Sequence, residues 1–478
     1  MIVRQLYDDK LAQYSYLIGC PATGAALVID PQRDVDRYFE AAEKNNLQIT
    51  AAAETHIHAD YLSGLRELAE RGVHVYASNE GDEDWKYEWL MGSNYRYRLL
   101  EDGDQFTVGN VVVEVLHTPG HTPEHLSYLI HDRGSGAEVP LAIATGDFVF
   151  VGDLGRPDLL ETAAGVKGTM ESGARNLYRS LAAFRRLPDF VQVWPGHGAG
   201  SACGKSLGDV PLSTVGYELI NNPAIQAATD EDRFVRHILD GQPEPPLYFA
   251  RMKRDNKVGP RVLGSMPAPR RLAHHEIRSL VERTGATILD TRLNRSAFMA
   301  RHLPGSIYAP LDRTFPTVAG SYVQENTPIY LVVGKERLEE AVVDLIRIGL
   351  DDVAGYITPE SLDRVLNEMG STGHIEEITF REVNTLLEEK NVQALDVRSR
   401  LEYDEGHVHG ALNIAHTRLA ARLDELDHEK TYLVYCRSGA RSAVASAFLK
   451  HHGFDVRYVN DHISNRKKAV TPEATTAT

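Results

Sequence analysis

Thr55-His56-Ile57-His58-Ala59-Asp60-Tyr61 follows the apolar run Ile49-Thr50-Ala51-Ala52-Ala53. The run reads as a short buried strand. Two imidazoles two residues apart, with a carboxylate two further on, suit a loop leaving a strand end, where side chains can converge on one cation. Three further pieces lie downstream: Pro119-Gly120-His121-Thr122, Thr145-Gly146-Asp147 and Pro195-Gly196-His197-Gly198. Each sets a His or Asp beside Gly at an expected strand-to-loop corner, where the backbone turns sharply. His and Asp are usual ligands for hard-to-borderline metals.

This ordered set resembles the metallo-β-lactamase superfamily. The resemblance implies an αββα sandwich, two mixed sheets face to face with helices outside and a metal at one edge. Hydrolases of the superfamily usually have His directly after the Asp; here Tyr61 stands there. That weakens a dinuclear zinc site, although Asp60, Asp147 and His197 remain. The other option is a mononuclear site of His56, His121 and Asp147. Two His and one carboxylate on one face, with open positions opposite, is the arrangement of non-haem Fe(II) oxygenases. The persulfide dioxygenases are the branch that uses it. His58, Asp60, Tyr61 and His197 are then expected to orient the ligands.

The chain has 478 residues, which predicts two to four domains. A formal charge of −16 argues against nucleic acid and anionic membrane as partners. No apolar run is long enough to span a bilayer, and the first ten residues lack an apolar signal-peptide core. The three cysteines, Cys20, Cys203 and Cys436, lie far apart. That points to a reducing compartment without a disulfide framework. A cytoplasmic homo-oligomer is the expectation.

Residues 14–20 and 25–30 read as a hairpin, 34–46 as a helix, and Val111 to Leu116 as the strand delivering His121. His74 reads as a sheet residue, and His125 as a residue supporting the site or the fold. The aromatic cluster at 81–98 reads as packing or as a substrate wall. Val151-Gly152-Asp153-Leu154-Gly155-Arg156-Pro157-Asp158 resembles the persulfide dioxygenase pattern, which implies that Arg156 binds the substrate carboxylate; a structural Asp–Arg turn is the alternative. Cys203, between glycines and beside Lys205, is either a low-pKa sulfur acceptor or inert. Residues 241–270 hold six of the 22 prolines and read as the end of the metal domain (1–245) passing into a linker (246–270).

Beyond residue 271 an internal repeat appears. Ile288-Leu289-Asp290-Thr291-Arg292 recurs as Ala394-Leu395-Asp396-Val397-Arg398, and Tyr330-Leu331-Val332-Val333 as Tyr432-Leu433-Val434-Tyr435. Each copy alternates short apolar strands with helices, so each is expected to be a small parallel α/β domain. Both resemble rhodanese domains, which implies three-layer α/β folds at 271–365 and 374–466. Only the second carries the loop Cys436-Arg437-Ser438-Gly439-Ala440-Arg441; the first has Gly334 at the cysteine position. Loop N–H groups, a helix N-terminus and the guanidiniums of Arg437 and Arg441 are expected around the Cys436 sulfur. Residues 467–478 read as a disordered tail.

The whole order resembles bacterial persulfide dioxygenase–rhodanese fusions of sulfide detoxification. It implies mononuclear Fe(II) (or zinc as purified) at His56, His121 and Asp147. Small-molecule thiol persulfides and O2 would be the substrates, sulfite and thiosulfate the products, with sulfur carried on Cys436. The alternatives are a zinc-dependent hydroxyacyl-thiol thioesterase with accessory rhodanese domains, and a non-enzymatic sulfur-relay adaptor.

Overall fold

The computed structural model describes residues 1–162, 168–282 and 285–467. The expected disordered tail falls almost wholly outside them. They form two compact units, one of Met1–Met266 with Ile346–Gly349, the other of the remainder from Pro267 onward.

In the first unit, one six-stranded sheet runs Ile2–Asp8, Gln13–Cys20, Ala25–Ile29, Gln48–Ala53, His74–Ser78, Tyr97–Leu100 in sequence order. The second runs Ser213–Thr214, Gln192–Pro195, Ala142–Gly146, Leu126–Asp132, Val111–His117, Gln105–Val108. Both are mixed: the first three strands of the first sheet pair antiparallel and the rest parallel. Strand period explains the layers. Leu27 and Ile29 face the core between the sheets, with Val113, Val115, Tyr128 and Ile130. Their neighbours Ala26 and Val28 face the opposite way, toward helices Asp36–Glu43 and Leu65–Glu70. The second sheet is covered on its outer face by helices Met170–Phe184 and Glu231–Leu239, through Leu177, Leu181, Phe234 and Ile238. The result is the αββα sandwich. Trp85 and Tyr87, from the aromatic cluster, are buried in its outer layer.

The expected linker 246–270 differs. Tyr248–Val258 is a helix with Tyr248, Phe249, Met252 and Asn256 buried. Asn256 Nδ2 donates to the carbonyls of His58 (2.8 Å) and Tyr61 (2.7 Å), and Asn256 Oδ1 accepts from Ser63 N (2.9 Å). The helix thus braces the first metal-site loop and belongs to the sandwich.

The second unit contains two five-stranded parallel sheets of identical order. One runs Arg270–Arg271, Val353–Ile357, Ile329–Val332, Thr287–Asp290, Ile307–Tyr308; the other Glu376–Ile378, Asp455–Val459, Thr431–Tyr435, Val392–Asp396, Leu412–Asn413. Every strand pair in both is parallel. Each has its own core, around Ile288, Tyr330 and Ile357 in the first and Ala394, Leu433 and Tyr435 in the second. No helix among the described residues is long and apolar enough to cross a membrane.

Candidate metal centre and cysteine loop

Four strands of the sandwich end at one edge and deliver its polar side chains there. His56, His58 and Asp60 follow Gln48–Ala53; His121 follows Val111–His117; Asp147 follows Ala142–Gly146; His197 follows Gln192–Pro195. His56, His121 and Asp147 are buried, and one ligand atom from each lies within 4.8 Å of the others. His56 Nε2 is 3.9 Å and His121 Nε2 3.4 Å from Asp147 Oδ2. Asp147 Oδ2 accepts no hydrogen bond among the described residues. A buried carboxylate oxygen left without a donor is costly unless a cation takes it. The donor set and this orphaned oxygen both fit a metal ion.

The surrounding groups fix each ligand's orientation. His56 Nδ1 is 2.9 Å from Thr55 Oγ1, and His121 Nδ1 2.9 Å from the Arg156 carbonyl, so both Nε2 atoms face Asp147. Asp147 N donates to His125 Nε2 (3.1 Å), whose Nδ1 meets Thr118 Oγ1 (2.8 Å). Asp147 Oδ1 meets His197 Nδ1 at 2.7 Å, and His197 Nε2 meets Asp60 Oδ2 at 2.9 Å. Gly196 permits this approach: a Cβ there would lie 2.6 Å from Asp147 Oδ1. Burial, with repulsion from His58, holds the His56 imidazole well below its ordinary pKa, and burial also lowers His121. Both are therefore neutral, as ligands must be. Burial alone would raise Asp147, but the charge and hydrogen bond of His197 outweigh it and hold the carboxyl well below its ordinary pKa.

Cys436 follows the strand Thr431–Tyr435 and precedes the helix Ala440–His451. Its sulfur is buried and accepts from Gly439 N (3.2 Å) and Ser442 Oγ (3.4 Å). Arg437 is exposed. Arg441 forms a two-pronged ion pair with Glu402 at 2.5 and 2.7 Å. The guanidinium of Arg441 is thus neutralised by a carboxylate rather than left open to an acceptor. The buried Asp396–Arg398 pair (2.6 Å) supports the loop's strand.

Residues 8–197 match the family model "Metallo-beta-lactamase superfamily", and residues 379–469 match "Rhodanese-like domain". A crystal structure of a metallo-beta-lactamase from Staphylococcus aureus subsp. aureus COL is 38% identical, covering 75% of this chain and 98% of that one, with a TM-score of 0.66. This chain belongs to the metallo-β-lactamase superfamily. A hydroxyacylglutathione hydrolase of Gloeobacter violaceus is 32% identical over 199 residues, 41% of this chain and 68% of the relative. The mitochondrial persulfide dioxygenase ETHE1 of Bos taurus is 25% identical over 237 residues, 48% of this chain and 78% of the relative. The metallo-β-lactamase fold here is followed by a C-terminal rhodanese-like domain.

Two residues that the sequence leaves between alternatives, Arg156 and Cys203, are both enclosed. Arg156 is fully buried; its Nε and Nη2 donate to Asp158 at 2.8 and 2.7 Å, and Nη1 donates to the Ala202 carbonyl at 3.1 Å. It is the internal Arg–Asp turn, not a substrate-facing cation, although its backbone carbonyl orients His121. Cys203 is buried beside Asp147 and His197, and burial pushes its thiol up to about 12. The depressed pKa suggested by Lys205 is absent: Lys205 Nζ is drawn off to the carbonyls of His237 and Asp240. His58 and Tyr61 are buried, and the hydrogen bonds of their side chains go to residues other than the three ligands. His58 Nε2 faces Asp30 Oδ1 (3.3 Å), and Gln13 Nε2 donates to the Tyr61 hydroxyl (3.1 Å).

Asp30 and Glu124 were not foreseen. Asp30 accepts from Thr55 N (2.8 Å) and Thr55 Oγ1 (2.9 Å), and Glu124 Oε1 accepts from Ile57 N (2.8 Å). Together they clamp the His56 loop from two sides.

Proposed function

We propose that this protein oxidises the sulfane sulfur of a low-molecular-weight thiol persulfide to sulfite and passes sulfane sulfur through Cys436, giving thiosulfate. His56, His121 and Asp147 would hold a single Fe(II). When bound, that ion supplies the one-electron chemistry that lets O2 react, which protein side chains cannot provide. The sulfane sulfur loses four electrons and O2 gains four; O2 supplies two oxygens of sulfite and water the third, while the carrier leaves as a thiol. Cys436 takes the sulfane sulfur of a second persulfide, whose carrier leaves as a thiol, and gives it to sulfite, which restores the Cys436 thiol.

The observation that carries the mononuclear reading is His197. Both of its ring nitrogens are engaged by carboxylates, Nδ1 by Asp147 and Nε2 by Asp60. Tyr61, where hydrolases usually have His, has its hydroxyl bonded to Gln13 and no imidazole to offer. His197 instead acts as a brace that keeps Asp147 aimed at the two ligand imidazoles. The sulfur half of the reading draws on the chain itself: a cysteine held by a loop N–H, in a rhodanese-like domain, shares a polypeptide with the metal site. The preceding sheet of the same strand order, with Gly334 in place of the cysteine, reads as a second rhodanese-like module without transfer chemistry.

A zinc thioesterase is the second reading. Asp60, His197 and Cys203 also lie within 4.8 Å of one another, which could make a second metal position. The Asp60–His197 bond, which engages the His197 Nε2 that a second ion would need, weighs against it. Oxygen uptake by anaerobically purified, Fe(II)-loaded protein given glutathione persulfide separates the two. Uptake yielding sulfite or thiosulfate, and lost in His121→Ala, is expected. No uptake, alongside hydrolysis of an acyl-thioester by the zinc form, would establish the thioesterase instead.

A further inference from the structure

The cysteine loop is touched by an arginine from the cysteine-less half of the second unit. Arg295 opens the helix Arg295–Ala300, whose start is capped by Asn294 Oδ1 accepting from Ala297 N (3.0 Å). Arg295 Nη2 donates to the Ser438 carbonyl at 3.0 Å. The N–H of that same peptide bond, on Gly439, donates to Cys436 Sγ at 3.2 Å. A trans peptide carries its C=O and N–H on opposite sides. Holding the carbonyl toward Arg295 therefore aims the N–H at the sulfur.

Such holding matters because Gly439 sits at φ 90° and ψ −14°. Glycine takes either sign of φ at little cost, so the Ser438–Gly439 peptide can flip unless something fixes it. A side chain there would be strained by the positive φ and crowded by its neighbours. A Cβ on Gly439 would meet Asn460 Oδ1 at 2.7 Å, the Tyr458 hydroxyl at 2.8 Å and Arg295 Cζ at 3.3 Å. The Arg295 helix is itself tied down beside the loop. Ser296 Oγ donates to Glu377 Oε2 (2.9 Å), and Asn460 Nδ2 donates to Glu377 Oε1 (2.7 Å). Tyr322 stacks on Phe448 of the helix that follows the loop, with centroids 4.2 Å apart.

We propose that Arg295 is a positioning residue for Cys436: it pins the Ser438 carbonyl so that the Gly439 N–H faces the sulfur, and it adds a fixed positive charge to the loop. A cation bonded to one end of a peptide polarises the N–H at the other, strengthening its bond to a thiolate or to a bound persulfide anion. The cysteine-less half, unable to carry sulfur, thereby completes the loop that does. This role rests on the sulfur-transfer reading given above.

The test uses the full chain and two measurements: the pH dependence of iodoacetamide alkylation at Cys436, read by peptide mass, and the rate of sulfur transfer from thiosulfate to cyanide. Arg295→Ala should move the alkylation profile to higher pH and slow alkylation at neutral pH about tenfold. Arg295→Lys, which keeps charge and donor, should recover most of the rate. Arg301→Ala, a cation at the far end of the same helix that bonds Asn367 rather than the loop, should leave the profile where it is. An Arg295→Ala profile that overlays the wild type overturns the proposal. Should that variant not fold, Arg295→Met keeps the side-chain length without the donor and decides the matter in the same way. Wild-type protein that alkylates normally yet transfers no sulfur overturns the sulfur-transfer reading instead, and the alkylation series still reports on Arg295.

Discussion

The metal pocket and the cysteine loop solve one problem by opposite means. Both place a reactive centre just beyond the C-terminal end of a strand. In the metal pocket, side chains hold side chains: His197 on Asp147, Thr55 on His56, His125 on the Asp147 backbone. The pocket is buried, so its charges must cancel locally, and Asp147 Oδ2, without a donor among the described residues, faces the cation position. In the cysteine loop, the backbone holds the centre. The Gly439 N–H meets the sulfur, and a side chain from elsewhere holds the peptide. The difference teaches where each site is vulnerable. The first should fail through single side chains, including ones that never touch a substrate; the second should fail through the cysteine and the path of its loop.

The largest expected effects come from severing the two sites. His121→Ala removes one of three ligands. It should bring bound metal and persulfide-dependent oxygen uptake to background while leaving cyanide-dependent sulfur transfer intact. Metal analysis and the two activity assays on one preparation check this. Cys436→Ser should do the reverse: no sulfur transfer, with bound metal and oxygen uptake retained. If either variant lost both activities in a folded protein, the two centres would not be the separate devices described.

A smaller effect tests the claim that the metal pocket is held from behind. His125→Ala takes away the acceptor of the Asp147 N–H and the stacking partner of His56, whose ring centroid lies 5.0 Å away. Loss of such support costs about 10–100-fold in metal affinity. Competition with a chelator should show a weakening in that range, with sulfur transfer unchanged. An affinity equal to the wild type's would mean that the strand end alone positions Asp147.

The two sites also differ in how far the sequence discloses them. His56, His121, Asp147 and the Cys436 loop are legible because each signal is local: a donor beside Gly at the end of an apolar run, or a cysteine and two arginines within six residues. What escapes is set by partners far along the chain. Asp30, in an Asp-Pro turn, gives no local sign that it accepts from Thr55, 25 residues on. Gly-Arg-x-Asp fits an outward arginine and an inward Arg–Asp pair equally, and only the burial of Arg156 decides. Lys205 beside Cys203 suggests a reactive thiol, but Lys205 bonds elsewhere and the thiol is enclosed. The helix Tyr248–Val258 hides between prolines and behind the charged run Arg251-Met252-Lys253-Arg254, and its contribution rests on one buried asparagine, Asn256. The internal repeat predicts two like sheets, and their strand orders match.

The smallest expected effect concerns acid. Glu402 accepts from both prongs of Arg441, from Ser399 N (3.3 Å) and from Ser399 Oγ (3.2 Å). Burial would raise its carboxyl, but the hydrogen bonds and charge of Arg441 prevail and lower it to about 2. The unfolded value is about 4.3. Because the folded pKa is the lower, the pair stabilises the fold fully above about pH 4.3 and loses that contribution as pH falls toward 2. The pair is partly open to solvent, so the contribution is under about 1 kcal/mol. Glu402→Gln keeps an acceptor for the Ser399 cap and removes only the charge. Thermal midpoints of wild type and variant should therefore differ most at neutral pH and converge as the solution is acidified below about pH 4. A gap that stays constant down to the lowest pH at which the protein remains folded would mean that shape, not charge, makes Glu402 matter. Arg441 would then be available to an anionic acceptor, as the bare sequence suggests.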